Sequence, residues 1–282
     1  MILTGHVSEI PADVWEQIEG TVDVGVKPIL PVSDTKIIVE VDDDRKVVAY
    51  SIGQAMQSYY IAFGLWLLSG QPCEGMVEEG LTQLGLAVAP LTVIEEHPHY
   101  EAVGFVRDFR LYVSCTDVPA EWPEGLVTMD KVPALDWKKH ELMLGMILEG
   151  IQPTPTGRGH EKVMAALFKQ IAAAPELTLA KMVDGKIVGL VTLMASDWHG
   201  EKPDPRLDGT VYYTDTMLAL VEEDQALAGE LLHGAALLAE AQNAHLAIHA
   251  GTDEAEKLVR DRLNFQYIYS AYKYIRESAF AK

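Results

Sequence analysis

Basic residues are scarce in this sequence. Lys and Arg together number 22 against 42 Asp and Glu, which gives a formal net charge of −20. Nucleic-acid binding depends on basic side chains that neutralise phosphates, so we expect no affinity for DNA or RNA. The same charge disfavours binding to an anionic membrane surface.

Cysteines and long apolar runs are scarce as well. The two cysteines, Cys73 and Cys115, form neither a metal-binding motif nor a disulfide framework, and we expect no metal. The longest near-continuous apolar run covers residues 59–68, about half of the ~20 residues that a membrane-spanning helix needs. No signal-peptide pattern opens the chain. We therefore expect a soluble, cytoplasmic protein without a membrane partner.

A short repeat points to a duplicated domain. The pattern Pro-Ala-x-x-Trp occurs at residues 11–15 and again at 133–137, each time after a short apolar segment. Only five tryptophans occur in the 282 residues, so the match is informative. This length suits two domains better than a single core. We predict domains at 1–118 and 119–282, joined by a Pro-containing acidic linker.

The second half alternates strands and helices. Residues 177–183 and 186–196 read as two strands joined by Asp184-Gly185, the preferred two-residue hairpin turn. A long helix is predicted from Glu222 to Asn243, followed by a strand, a short helix and a final strand. With the elements that precede the hairpin, the predicted order is β-α-α-β-β-β-α-β-α-β.

The first half gives a shortened version of the same order. Its strands and three of its helices can be matched to those of the second half. A clear second helix is missing, and the Pro- and Gly-containing residues 22–34 stand in its place.

This order resembles the fold of the GCN5-related N-acetyltransferases (GNAT). The resemblance covers nearly the whole chain and is stronger in residues 125–276. Its most specific local element is the sequence YEAVGF at Tyr100–Phe105, which looks like the Tyr-x-x-x-Gly-Phe step before the family's last strand. The second copy, at Arg260–Phe265, keeps the Phe but has Asn264 in place of the Gly. The resemblance implies an α/β protein of two tandem GNAT-like domains, each a mixed twisted sheet flanked by helices.

The resemblance also implies a coenzyme A site at the start of the long helix. The family binds the pyrophosphate of acetyl-CoA or another acyl-CoA through backbone N–H groups and the helix dipole. This sequence lacks the family's glycines and basic residue there, and Glu222, Glu223 and Asp224 would repel a polyanion. The same acidic residues also make an ordinary helix start. The residues that the resemblance assigns to the cofactor are Leu220, Val221, Gln225, Ala226, Leu227, Ala228 and Gly229.

Candidate catalytic groups follow from the same comparison. Asp215, on the strand before that helix, is the candidate base that would deprotonate an amine. Tyr267 or Tyr269 would protonate the leaving thiolate. The alternative is that Asp215 is a strand-edge residue and that the tyrosines only pack within their strand.

Two functions remain open at this point. The first is an acyl-CoA-dependent N-acyltransferase that acts from the second domain on a small-molecule or protein amine, with the shortened first domain non-catalytic. The alternative is a catalytically inactive GNAT-fold protein with a structural or interaction role, which would bind protein partners within a larger assembly. The sequence is compatible with a homo-oligomer in either case.

Overall fold

The computed structural model describes residues 1–69, 71–114, 121–132, 171, 173–195, 210–214, 218–220 and 225–276. Its residues form two compact units. The first comprises Met1–Arg110 and Tyr269–Lys282, and the second comprises Leu111–Ile268. The predicted domain boundary between 118 and 119 lies outside the described residues.

The first unit contains six strands and three helices from the N-terminal half of the chain, with short 3-10 turns between some of them. In chain order they are β1 (Ile2–Gly5), α1 (Ala12–Glu19), β2 (Thr35–Val41), β3 (Val47–Met56), β4 (Tyr59–Leu67), α2 (Met76–Leu84), β5 (Val88–Val93), α3 (Pro98–Ala102) and β6 (Val106–Val113).

Alternation along the strands directs side chains to two cores, one on each face of this sheet. On β2, Ile37 and Val39 pack with Ile18 of α1. Ile38 packs on the opposite face with Met76 and other residues of α2. Because side chains alternate between the faces of a strand, a continuous apolar run can supply both cores.

The missing second helix of the first half is confirmed. Within residues 22–34 the structure has only a 3-10 turn at Lys27–Ile29, with Pro28 inside it. Proline removes a backbone donor and is tolerated only in a first helical turn, so this segment does not extend into an α-helix.

The second unit is built from the remaining described elements. They are β7 (Leu126–Thr128), β8 (Thr178–Val183), β9 (Lys186–Thr192), β10 (Met194–Ala195), β11 (Thr210–Tyr213), β12 (Leu218–Leu220), α4 (Gln225–Ala241), β13 (Ala244–Ala250), α5 (Asp253–Lys257) and β14 (Gln266–Ile275).

The predicted β8–β9 hairpin is confirmed. Val183 pairs with Lys186 across the turn, and both turn residues have positive φ, 48° at Asp184 and 72° at Gly185. Positive φ at both positions matches the twist of the flanking strands. The helix α4 packs against β8, β9 and β13 through small residues and leucines. The predicted start of this helix, at Glu222, lies outside the described residues.

Two strands contribute to both units. Residues 106–110 of β6 and 269–275 of β14 belong to the first unit, where the strand order is β1-β2-β3-β4-β5-β14-β6. Residues 111–113 and 266–268 belong to the second unit, where β6 lies between β14 and β13. Each unit therefore includes part of a strand from the other half of the sequence.

The predicted fold class is confirmed. Each unit contains a parallel strand pair, β4–β5 in the first and β11–β13 in the second, next to antiparallel pairs. Phe105 and Phe265, matched by the sequence repeat, are each 4% exposed. The matched Trp15 packs at the edge of the first core, whereas Trp137 lies outside the described residues.

Candidate active site

The parallel pair of the second unit opens into a fork. Strand β11 pairs with β13 up to Tyr213 opposite Ala247. The next described strand, β12, pairs instead with β9, with Leu218 opposite Val191, in a separate four-stranded antiparallel sheet of the second unit with the order β12-β9-β8-β7. Thr214 is thus the last described residue before the chain leaves β13. A fork between parallel strands provides strand edges that an extended ligand can pair with.

Three side chains at this point form what we call the fork cluster: Tyr213, Thr214 and His249. The Tyr213 ring stacks on the His249 imidazole of β13 at a centroid distance of 5.4 Å and an interplanar angle of 29°. Thr214 is 1% exposed, and its Oγ1 has no hydrogen-bond partner among the described residues. A buried hydroxyl without a partner costs about 1–3 kcal/mol, so its presence requires an explanation.

The predicted cofactor residues lie where the chain passes from β12 into α4. Leu220 ends β12, and Val221 lies outside the described residues. At the start of α4, Gln225 and Ala226 are exposed, Leu227 and Gly229 are half-buried, and Ala228 is buried. The first two described positions of α4 are thus exposed.

The predicted catalytic residues are not brought together by the described part of the structure. Asp215 lies outside it. Tyr267, in the second unit, meets the Tyr112 ring edge-on at a centroid distance of 5.9 Å. Tyr269 belongs to the first unit, is 8% exposed, and lies against Phe109 at 6.3 Å. The catalytic roles of all three residues stay predictions.

Sequence reasoning missed Thr214 and Tyr213. The signal available was the run Tyr212-Tyr213-Thr214-Asp215, in which aromatic residues suited to a strand lead directly into polar ones. That run indicates a strand end, but it does not reveal that the hydroxyl of Thr214 is buried without a partner.

The first unit has a carboxylate where an anion would otherwise bind. The helix α2 begins after Gly75, and its first turn contains Glu78 and Glu79. Just before it, the backbone N–H of Cys73 donates to Oε2 of Glu40 at 2.8 Å. Burial, followed by the hydrogen bond to Glu40, raises the pKa of the Cys73 thiol to about 11. This helix start is acidic and its thiol is neutral at physiological pH, so it suits neither a phosphate nor nucleophilic chemistry.

A histidine lies beside β4 in the same unit. Burial is the main cause that lowers the pKa of His99, the charge of His97 adds to it, and a hydrogen bond to the Leu65 backbone opposes it. The Nε2 atom of His99 is buried without a partner among the described residues. The parallel register of β4 and β5 runs from Tyr59 to Ala62, so Leu65 follows the paired part of β4. The His99 imidazole therefore lies next to the part of β4 that follows its pairing with β5.

The described residues show no other recognised site. No group of three or more His, Cys, Asp and Glu among them could hold a metal ion. No described helix is both long and apolar enough to cross a membrane.

Comparisons with known proteins gave similarities only among solved structures. No protein-family model and no curated protein matches the chain. A GCN5-related N-acetyltransferase from Sphaerobacter thermophilus is 16% identical, with 98% of this chain and 96% of that one covered and a TM-score of 0.46. A GNAT-family acetyltransferase from Colwellia psychrerythraea is 12% identical, with 98% and 99% covered and a TM-score of 0.48. A tandem GNAT protein from the clavulanic acid biosynthesis pathway is 12% identical, with 98% of each chain covered and a TM-score of 0.38.

The described elements of both units follow the order predicted for a GNAT domain. In the first unit the order of strands and α-helices is complete apart from the second helix, and in the second unit the described strands and helices occur in the expected sequence. The observed order of the described elements thus agrees with the GNAT-like order predicted from the sequence.

Proposed function

We propose that the second unit is an acyl-CoA-dependent N-acyltransferase that works at the fork between β12 and β13. The observation that carries this proposal is the hydroxyl of Thr214, which is buried at the fork and has no hydrogen-bond partner within the described part of the chain. The pantetheine arm of an acyl-CoA is extended and contains amides, so it can pair with a strand edge as an added strand would. Its binding would also give the Thr214 hydroxyl a partner.

The start of α4 is the proposed place for the pyrophosphate. Backbone N–H groups at Gln225–Gly229 and the helix dipole would hold the anion, with Leu220 and Val221 leading into the turn. The neighbouring Glu222, Glu223 and Asp224 repel that anion. We therefore expect weak affinity for coenzyme A, which neutralising these residues would increase.

The proposed reaction transfers the acyl group from sulfur to nitrogen. The amine nitrogen attacks the thioester carbonyl, the C–N bond forms and the C–S bond breaks. In this proposal Asp215 accepts the proton that the amine loses, and Tyr267, the candidate tyrosine that belongs to the second unit, gives a proton to the coenzyme A thiolate. A cationic acceptor amine would be attracted by the net charge of −20.

The first unit is proposed to be non-catalytic. Glu40 already accepts the backbone N–H of Cys73 ahead of α2, and Glu78 and Glu79 add charge of the wrong sign. The half-buried His99 ring lies near the Leu65 backbone of β4. In this proposal, these side chains of the first unit occupy the positions that correspond to the ligand site of the second unit.

The alternative function is a catalytically inactive protein with a structural or interaction role. The acidic residues 222–224 favour it, because selection for coenzyme A binding would disfavour them. In that case acetyl-CoA would bind to neither unit.

Binding of acetyl-CoA to the whole chain tests the proposal, measured by calorimetry and by the shift in melting temperature. A ligand at a hundredfold excess over Kd adds about 2.7 kcal/mol to the free energy of unfolding. Thr214→Val should raise the stability of the free protein, since it removes a buried hydroxyl that no described residue pairs with, and should weaken acetyl-CoA binding. If Thr214 has only a structural role, the same change should lower the stability of the free protein.

A matched pair of double variants separates the two units. Glu222→Gln with Glu223→Gln should tighten acetyl-CoA binding, because two like charges leave the phosphate site. Glu78→Gln with Glu79→Gln removes the same charge from the first unit and should leave the affinity unchanged. If millimolar acetyl-CoA shifts neither the wild type nor the first double variant, the enzyme proposal fails and the inactive alternative stands.

A further inference from the structure

Two glutamates occupy equivalent places in the two halves of the chain. Glu96 precedes Phe105 and Glu256 precedes Phe265 by the same interval, since 105 − 96 and 265 − 256 are both 9. Glu96 lies between β5 and β6, and Glu256 lies between β13 and β14, so each precedes a strand that is shared by both units. The proposed acyltransferase uses neither residue.

In the first unit, Glu96 binds the strand that comes from the far end of the chain. Its carboxylate accepts a hydrogen bond from the hydroxyl of Ser270 on β14, a side chain that is 0% exposed. It also accepts from Nε of Arg110 on β6 at 2.6 Å and from the second Arg110 nitrogen. Ser270 pairs with Val93, the last residue of β5. Glu96 therefore closes the end of the β5–β14 ladder.

In the second unit, Glu256 has the corresponding contact with β6. The residue is 8% exposed, and its Oε1 accepts from the Tyr112 hydroxyl at 2.9 Å in a buried hydrogen bond. Arg260, one helical turn further on, donates to the same oxygen at 3.2 Å. β6 is held on its other side, where the Ser114 N–H donates to the Leu246 carbonyl of β13 at 2.8 Å.

Both contacts are of the kind that fixes strand register. A hydrogen bond to a charged group is stronger than one between neutral groups, and a carboxylate left without its partner in a buried place is strongly destabilising. A slip of the strand by one residue would turn Ser270 or Tyr112 to the opposite face of its sheet. The carboxylate of Glu96 or Glu256 would then lose this hydrogen-bond donor. We propose that Glu96 and Glu256 are carboxylate latches, which hold β14 in the first unit and β6 in the second in a single register.

Hydrogen exchange of the intact chain, read peptide by peptide, tests the latches. Glu96→Gln should speed exchange in residues 269–275 about tenfold or more and leave residues 111–114 unchanged. Glu256→Gln should do the reverse. Ser270→Ala and Tyr112→Phe remove only the donors and should reproduce each pattern, which keeps the test decisive if a glutamate variant fails to fold.

An exposed ion pair between the same strands supplies the control. Lys273 of β14 binds Asp108 of β6, and their side chains are 42% and 40% exposed. Asp108→Asn should leave hydrogen exchange in residues 269–275 and 111–114 unchanged, because exposed ion pairs contribute little to stability. The proposal is overturned if Asp108→Asn has the same effect as Glu96→Gln, or if the glutamate and donor variants leave exchange as it is in the wild type.

Discussion

The turn that leads into each shared strand offers a direct test of the match between the two halves. Gly104 has a φ of 95° and its counterpart Asn264 a φ of 54°, both in the left-handed region. The next residue in each case is a buried phenylalanine, and the Phe265 N–H donates to the Val259 carbonyl at 2.9 Å. Asn tolerates this conformation better than other residues with a side chain, which explains why it can replace Gly here.

Two substitutions at Asn264 isolate the backbone contribution. Asn264→Ala and Asn264→Gly both remove the side-chain amide, so any difference between them reports the conformation alone. The left-handed conformation costs an alanine about 1–2 kcal/mol, whereas glycine adopts it freely but loses about 0.5–1 kcal/mol in unfolded-state entropy. We therefore expect the alanine variant to be less stable than the glycine variant by about 1 kcal/mol.

Urea and thermal unfolding of the whole chain would measure this difference. About 1 kcal/mol corresponds to roughly 2–4 °C in Tm for a domain of 150–250 residues. Gly104→Ala should cost more, because the added Cβ would also lie 2.8 Å from Cε2 of Tyr274. An Asn264→Ala variant as stable as Asn264→Gly would refute the assignment of this turn to the left-handed region.

Three further predictions concern packing, pH and domain integrity. In Gly234→Ala the added Cβ would lie 2.4 Å from Cδ1 of Leu126. Overpacking of about 1–3 kcal/mol should exceed the gain in helix propensity of about 1 kcal/mol, so we expect urea unfolding to show a less stable protein. Equal or higher stability would contradict this. The hydrogen bond from Arg110 is the main cause that lowers the pKa of Glu96. The hydrogen bond from Ser270 and the charges of Arg110 and Arg107 lower it further, whereas burial raises it. The contribution of the Glu96 carboxylate to the free energy of unfolding is therefore fully present above its unfolded-state pKa and is lost as pH falls through the lower folded-state pKa. In Glu96→Gln the free energy of unfolding should depend less on pH across this acidic range. Residues 1–118 expressed alone lack β14, so we expect no cooperative thermal transition, and a cooperative one would show that the first unit does not need the strand.

The order of elements was readable from the sequence because its signals are local. The Asp184-Gly185 turn, the interrupted segment at 22–34 and the alternation along β2 each depend on residues a few positions apart. The family resemblance was drawn from the same local features, and the observed order and strand pairing agree with it.

The contacts that define the candidate site and the latches were decided only by tertiary structure. Periodicity shows which face of a strand is apolar, but it does not say which distant strand lies beside it. The pairing of β14 with β5 joins Ser270 to Val93, and the stack of Tyr213 on His249 depends on the parallel register of β11 and β13. The sequence predicted a strand at the end of each half. Its partners depend on long-range packing, where burial of Ser270 and Tyr112 beside carboxylates favours one arrangement of the chain.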